Sequence, residues 1–140
     1  IGPEPFDPDL TADSFYRSLS SSKSQLKTKL LSQKVVAGLG NIYVDESLWR
    51  AKVNPTARRI GRKRAEILLL SIREVLSEAI RNGGTTLRDY RTPDGLTGEN
   101  QHNLDCYGRQ GKPCRICSST LKNRVIGQRS TTWCPQCQIR

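Results

Sequence analysis

Four cysteines near the end of the chain are the residues best suited to chemistry. Cys114-Arg-Ile-Cys117 and Cys134-Pro-Gln-Cys137 form two C-x-x-C knuckles separated by sixteen residues. Each knuckle is a tight turn that aims two thiolates at one point, and two knuckles complete a tetrahedron. The spacing is that of a four-cysteine zinc site. One Zn2+ held by Cys114, Cys117, Cys134 and Cys137 has no open coordination position, so the expected role is structural and not catalytic. Two disulfides, or four buried thiols, are the alternatives. Redox chemistry fits less well, because neither knuckle sits in a strand–helix–strand pattern. The residues between the knuckles suffice for two short strands and a turn. Cys106 stands apart and reads as a strand residue without a role. His102, the only histidine, reads as a loop residue, since four thiolates already close the metal shell.

The elements that carry this site lie in a chain of 140 residues, 35% hydrophobic and with a net charge of +10. That length allows one domain or two small ones. A thin core is compensated where metal ligation supplies folding free energy. The excess of Lys and Arg points to an anionic partner, nucleic acid first. The charge is uneven: residues 1–16 carry four acids and no base, whereas residues 101–140 carry seven bases against Asp105. No apolar run approaches the roughly 20 residues of a membrane span, and no signal-peptide pattern opens the chain. With the cysteines assigned to metal, nothing demands an oxidising compartment, and a cytoplasmic, nucleoid-associated location is the default.

In chain order, the prolines of residues 1–9 mark an extended linker. A helix is expected to start after Thr11 or Asp13, carrying Phe15, Tyr16 and Leu19, and to break at Ser20-Ser21-Ser22. From Lys23 to Lys34 a second helix turns Leu26, Leu30 and Leu31 inward and points Lys23, Lys27, Lys29 and Lys34 elsewhere. Gly38-Leu39-Gly40 permits a turn, with Asn41 as the expected N-cap of a third helix and Asp45 and Glu46 near its positive end. Such a turn offers free backbone N–H groups to a phosphate. Asn54-Pro55 marks the end of that helix. Residues 62–82 form the clearest helix, with Ala65, Leu68, Leu69, Ile72, Val75, Leu76, Ala79 and Ile80 in one apolar stripe and Gly83-Gly84 as its stop. Residues 91–103 are polar and turn-rich. Leu104 to Tyr107 reads as a strand, followed by a turn at Gly108 to Gly111. Trp49 and Trp133 are expected to pack in the core and the zinc module. The division expected is a helical part, residues 1–97, and a zinc part, residues 98–140. The fold class is mainly α with a small β zinc module.

Taken together, Leu39-Gly40-Asn41-Ile42-Tyr43 with Asp45-Glu46, Gly83-Gly84-Thr85-Thr86-Leu87, Tyr107-Gly108-Arg109 with Pro113-Cys114, and Gln128-Arg129-Ser130-Thr131 running into Trp133-Cys134 form an ordered set. On these motifs nearly the whole chain resembles the C-terminal half of the formamidopyrimidine-DNA glycosylase (Fpg/Nei) family of base-excision repair enzymes, and its formamidopyrimidine branch in particular. The resemblance implies a helix–two-turn–helix bundle followed by a four-cysteine zinc-finger β-hairpin, gripping double-stranded DNA around a damaged or abasic site as a monomer. It implies that Lys27 and Asn41 bind phosphates flanking the lesion, and that Arg129 binds phosphate and reaches the minor-groove side. It places residues 92–103 where the family carries a mobile lesion-recognition loop; a plain linker is the other reading.

The family's nucleophile is an N-terminal proline amine, followed by a catalytic Glu, on a β-sandwich domain. Here residue 1 is Ile, and the nitrogen of Pro3 is an amide without nucleophilic character. Ile-Gly-Pro-Glu-Pro-Phe resembles the segment that joins the family's two halves. The expectation is therefore DNA binding without base excision by this chain, with no catalytic residue. Two other readings stand beside it: a substitute lysine nucleophile, Lys27 or Lys34, and a zinc-ribbon adaptor for protein or RNA.

Overall fold

A computed structural model describes residues 1–83 and 104–140. Four helices and one hairpin follow in chain order: α1 (Ala12–Ser20), α2 (Leu26–Leu31), α3 (Asn41–Ala51), α4 (Arg62–Gly83), β1 (Lys122–Ile126) and β2 (Arg129–Trp133). The class is the mainly helical one expected, with a small zinc hairpin. The expected boundary between residues 97 and 98 lies outside the described residues, as do the Gly84 stop, the 91–103 loop and His102.

α1 starts because Thr11 and Ser14 cap each other: the Ser14 N–H donates to Thr11 Oγ1 at 3.1 Å and the Thr11 N–H to Ser14 Oγ at 3.0 Å. This reciprocal box satisfies two of the N–H groups that a helix start leaves free. α4 presents its stripe to the core as expected, with Leu68, Ile72 and Leu76 fully buried. Ile80 departs from the expectation: it is 46% exposed, at the edge of a stripe that Ala79 still holds against the core. α3 is the axis of the molecule. Every residue from Asn41 to Trp49 is buried, between α4 on one side and α2 and β2 on others. Its polar members must therefore find partners inside, and they decide how the zinc module sits.

The basic segment is shorter and less exposed than its leucine spacing suggests. α2 spans only six residues, and Lys27 and Lys29 are buried, at 0% and 4% exposure. For Lys29 the cause is the end of α1: its ammonium donates to the Leu19 carbonyl at 2.5 Å and the Arg58 carbonyl at 2.8 Å. A cation at a helix C-terminus satisfies both the orphan carbonyl and the dipole.

The linker, residues 1–9, has no regular element but is strapped down. The Gly2 N–H donates to the Gln33 carbonyl at 2.7 Å and the Ala37 N–H to the Pro3 carbonyl at 2.8 Å. A Cβ on Gly2 would lie 2.4 Å from the Lys34 carbonyl oxygen, so no larger residue fits. The Arg73 guanidinium fastens the next stretch through the carbonyls of Pro5 and Leu10.

Leu104 to Tyr107 forms no strand; among the described residues the only sheet is the β1–β2 hairpin, paired from Lys122↔Trp133 to Ile126↔Arg129. The reason is Glu46. Its carboxylate accepts the consecutive N–H groups of Asp105, Cys106 and Tyr107 at 2.6–2.8 Å. Three adjacent N–H groups converging on one acceptor curl the backbone, whereas a ladder needs alternate ones.

Candidate metal centre and nucleic-acid interface

The two knuckles converge. The Sγ atoms of Cys114, Cys117, Cys134 and Cys137 all lie within 4.8 Å of one another. Cys114 and Cys137 are 3.9 Å apart and Cys117 and Cys134 3.4 Å. A tetrahedral zinc at about 2.3 Å from each sulfur requires sulfur–sulfur edges of about 3.8 Å, so the donor set fits one structural Zn2+. The surroundings suit thiolates as well. N–H groups of Ile116 and Cys137 point at Cys114 Sγ (3.4 Å) and Cys134 Sγ (3.3 Å). The indole Nε1–H of Trp49 donates to Cys114 Sγ at 3.4 Å. Such bonds orient the ligands and offset part of their charge. Trp49 thus packs with the metal cysteines, outside the helical core, and ties the metal centre to α3. Cys106 stays outside the set: fully buried, its thiol donates to the Thr132 carbonyl at 3.2 Å, and burial pushes its pKa up.

The glycine turn meets the zinc hairpin at one point. Gly38 takes a φ of +80°, which favours glycine, and Gln33 braces the turn by accepting the Gly38 N–H at 2.6 Å. Gly40, not Asn41, is the N-cap, with extended backbone. Asn41 is the first helical residue; its amide turns away from its own helix and donates to the Ser130 carbonyl at 3.0 Å. Its Oδ1 is buried without a partner.

Lys27 converges on the same carbonyl at 3.3 Å and pairs with Asp45 Oδ1 at 2.5 Å. Both side chains of the pair are completely buried. The other Asp45 oxygen accepts the Thr132 N–H at 2.9 Å. Asp45 and Glu46 therefore do not serve the α3 dipole; they lie beyond the first turn and bind elements distant in sequence. Burial pushes the Asp45 carboxyl up to about 6, against the pull of Lys27 and the Thr132 N–H, and pulls the Lys27 ammonium down. Glu46 is pushed up to about 7 by burial, against its three N–H donors.

The three expected phosphate contacts thus gather around Ser130, with Arg129 immediately before it. Arg129 lies exposed beside the turn and lines, with Thr28, Ser32 and Gln128, a cleft between α2 and the hairpin. Alternation along the hairpin puts Lys122, Arg124 and Arg129 on one side, and all three are exposed. Lys27 is different. It contributes charge from beneath the surface, not an open ammonium.

Sequence reasoning gave Asp45 and Glu46 to the helix end and missed their distant partners, and it missed Thr132 and the Ser130 carbonyl altogether. One signal was available: Asp45 has no base three or four residues away on its helix, so its charge had to be met from elsewhere.

Residues 1–91 match the formamidopyrimidine-DNA glycosylase H2TH domain, and residues 111–139 the zinc finger found in FPG and IleRS. The formamidopyrimidine-DNA glycosylases of Herpetosiphon aurantiacus and Rhizorhabdus wittichii are 45% and 49% identical over 99% of this chain. The chain spans about half the length of these curated relatives, 51% and 52%. Among solved structures, MutM (Fpg) from Thermus thermophilus superposes with a TM-score of 0.85 at 42% identity, over 99% of this chain and 53% of its own. Lactococcus lactis Fpg, solved in complex with DNA containing an abasic site, superposes with a TM-score of 0.87 at 38% identity, over 100% of this chain and 51% of its own. On the match of residues 1–91 the chain belongs to the formamidopyrimidine-DNA glycosylase family, of which it holds the helical H2TH domain and the zinc finger.

Proposed function

We propose that this chain is a zinc-dependent duplex-DNA-binding unit of a base-excision repair protein, recognising DNA around a damaged or abasic site and located with the nucleoid. The observation that carries the reading is that the first residue of α3, Asn41, is tied through its amide to the Ser130 carbonyl of the zinc hairpin, next to the exposed Arg129. A helix N-terminus and a forked guanidinium are two complementary ways to hold a phosphate oxygen. The complex of Lactococcus lactis Fpg with abasic-site DNA supports the choice of duplex DNA.

Asn41 and Arg129 are the proposed phosphate contacts. Lys27, expected as a third, meets them through the Ser130 carbonyl; to touch a phosphate directly its ammonium has to leave Asp45. Arg129, with Lys122 and Arg124 on the same side of the hairpin, gives a salt slope of about −3 and micromolar affinity near physiological salt. Contacts to phosphates position the chain without reading sequence, so lesion preference from this part alone is weak.

Base excision by this chain alone is not proposed. Of the two candidate lysines, Lys27 is buried and ion-paired, which leaves no free amine for attack; Lys34 is exposed. Borohydride trapping on abasic-site DNA separates the readings: no covalent adduct is expected, and an adduct lost in Lys34→Arg would replace the binding reading with a lyase. Anisotropy with duplex DNA, single-stranded RNA and both in competition tests the partner. Preference for the duplex is expected; preference for RNA favours the adaptor.

A further inference from the structure

Asp45 sits where an acid is least welcome if the surface above it binds a polyanion. It is 1% exposed and lies one helical turn beyond Asn41 on α3. Its two oxygens are divided between two elements: Oδ1 takes the Lys27 ammonium of α2 at 2.5 Å, and Oδ2 takes the Thr132 N–H of β2 at 2.9 Å. Lys27 then reaches the Ser130 carbonyl at 3.3 Å, where the Asn41 amide also donates at 3.0 Å. Asn41 and Asp45 are four residues apart and so lie on one face of α3. The result is a closed loop of contacts running from α3 to α2, to β2 and back to α3.

We propose that Asp45 is a positioning residue for DNA binding: by clasping Lys27 and β2 together it fixes the Ser130 carbonyl that aims the Asn41 amide, and with it the adjoining Arg129. The inference rests on the duplex-DNA reading above. Stability alone is a weak reason for the pair, since a buried ion pair is often replaceable by neutral groups without loss. Positioning is a stronger one. A carbonyl that receives two donors and a neighbouring N–H that is itself held leave the strand little freedom to slide along α3.

The sign of one mutational effect separates positioning from bystander. Asp45→Asn removes a negative charge from beneath a phosphate-binding surface, so simple electrostatics tightens binding. Positioning predicts the opposite, about tenfold weaker binding, with one zinc per chain retained. Lys27→Met/Asp45→Asn provides the second variant. It strands no buried charge and leaves the net charge unchanged. The same tenfold weakening is expected, with the salt slope unchanged, because the cations that meet phosphate are still present.

The measurement is duplex-DNA anisotropy over a salt series, with zinc determined by a metal-sensitive dye after thiol modification. Equal or tighter binding by Asp45→Asn, or wild-type affinity in the double variant, overturns the proposal. So does a slope about one unit shallower in the double variant, which makes Lys27 a direct phosphate contact. Loss of zinc from both variants also overturns it and makes the clasp purely structural. Absence of binding by the wild-type chain removes the DNA reading itself, whereas wild-type binding with indifferent variants removes only the role of Asp45.

Discussion

At the scale of single residues, the same charge type plays two roles that the sequence alone does not separate. Arg129 is exposed beside the hairpin turn; Lys27 is fully buried against Asp45. Arg129→Ala is therefore expected to weaken binding to every duplex sequence alike and to reduce the salt slope by about 1; a changed base preference would contradict a phosphate contact. Lys27→Ala belongs to stability. It strands the Asp45 charge in the interior, a loss of about 3–5 kcal/mol, readable as a lower urea midpoint of the zinc-loaded protein. An exposed control, Lys23→Ala, is expected to stay within about 0.5 kcal/mol of wild type. The cysteine set was legible because ligand spacing is local and each knuckle is a four-residue turn. Lys27 was not, because its partner lies 18 positions away and hydrophobic periodicity says only that a lysine is not on the leucine face. Asn41 was half legible: the glycines marked the turn, but the amide turns to a carbonyl 89 positions on.

At the scale of elements, α3 is the piece on which the others are hung. It holds Leu104 to Tyr107 through Glu46, β2 through Asp45 and Asn41, and the metal centre through Trp49. Just past its end, Asn54 donates to the Gln138 carbonyl at 2.7 Å, and Gln138 Nε2 returns to the Val53 carbonyl at 2.9 Å. Glu46 gives this docking a pH dependence. Its folded pKa, about 7, lies above the ordinary value of 4.5, so the fold favours the protonated carboxyl. That contribution is present in full below the ordinary value and is lost as pH rises through about 7. Between pH 6 and 8, zinc-saturated wild type should lose about 1 kcal/mol relative to Glu46→Gln, since zinc-ligand titration is common to both proteins. A constant difference in urea midpoints across that range would show the carboxylate to be charged throughout. α4 was legible almost residue by residue, since one long stripe against one core needs no distant partner; only Ile80 strayed. The strand expected at Leu104 to Tyr107 was not, because a carboxylate from another helix took three N–H groups in a row.

At the scale of the whole molecule, two packed clusters share one helix. The larger is the helical core around Phe15, Leu30, Tyr43 and Leu68; the smaller joins Trp49 and Cys106 to the metal cysteines and Leu121. Removing zinc costs the smaller cluster its organising ion, because four thiolates brought within 4.8 Å repel without it. The helical core has no ligand in that shell, so helix content should largely survive chelation while the hairpin and the clasp on Ser130 are lost. No helix among the described residues is long and apolar enough to cross a membrane. The charge of +10 favours an anionic partner, and Lys122, Arg124 and Arg129 of the hairpin are exposed. The most direct measurement is duplex-DNA binding by zinc-loaded and chelator-treated protein, followed by anisotropy across a salt series with helix content monitored by circular dichroism. Micromolar binding with a slope near −3, abolished on chelation at nearly constant helix signal and restored by zinc, is expected. Equal affinity with and without the metal, or no binding at any salt concentration, would contradict a zinc-organised grip on the DNA backbone.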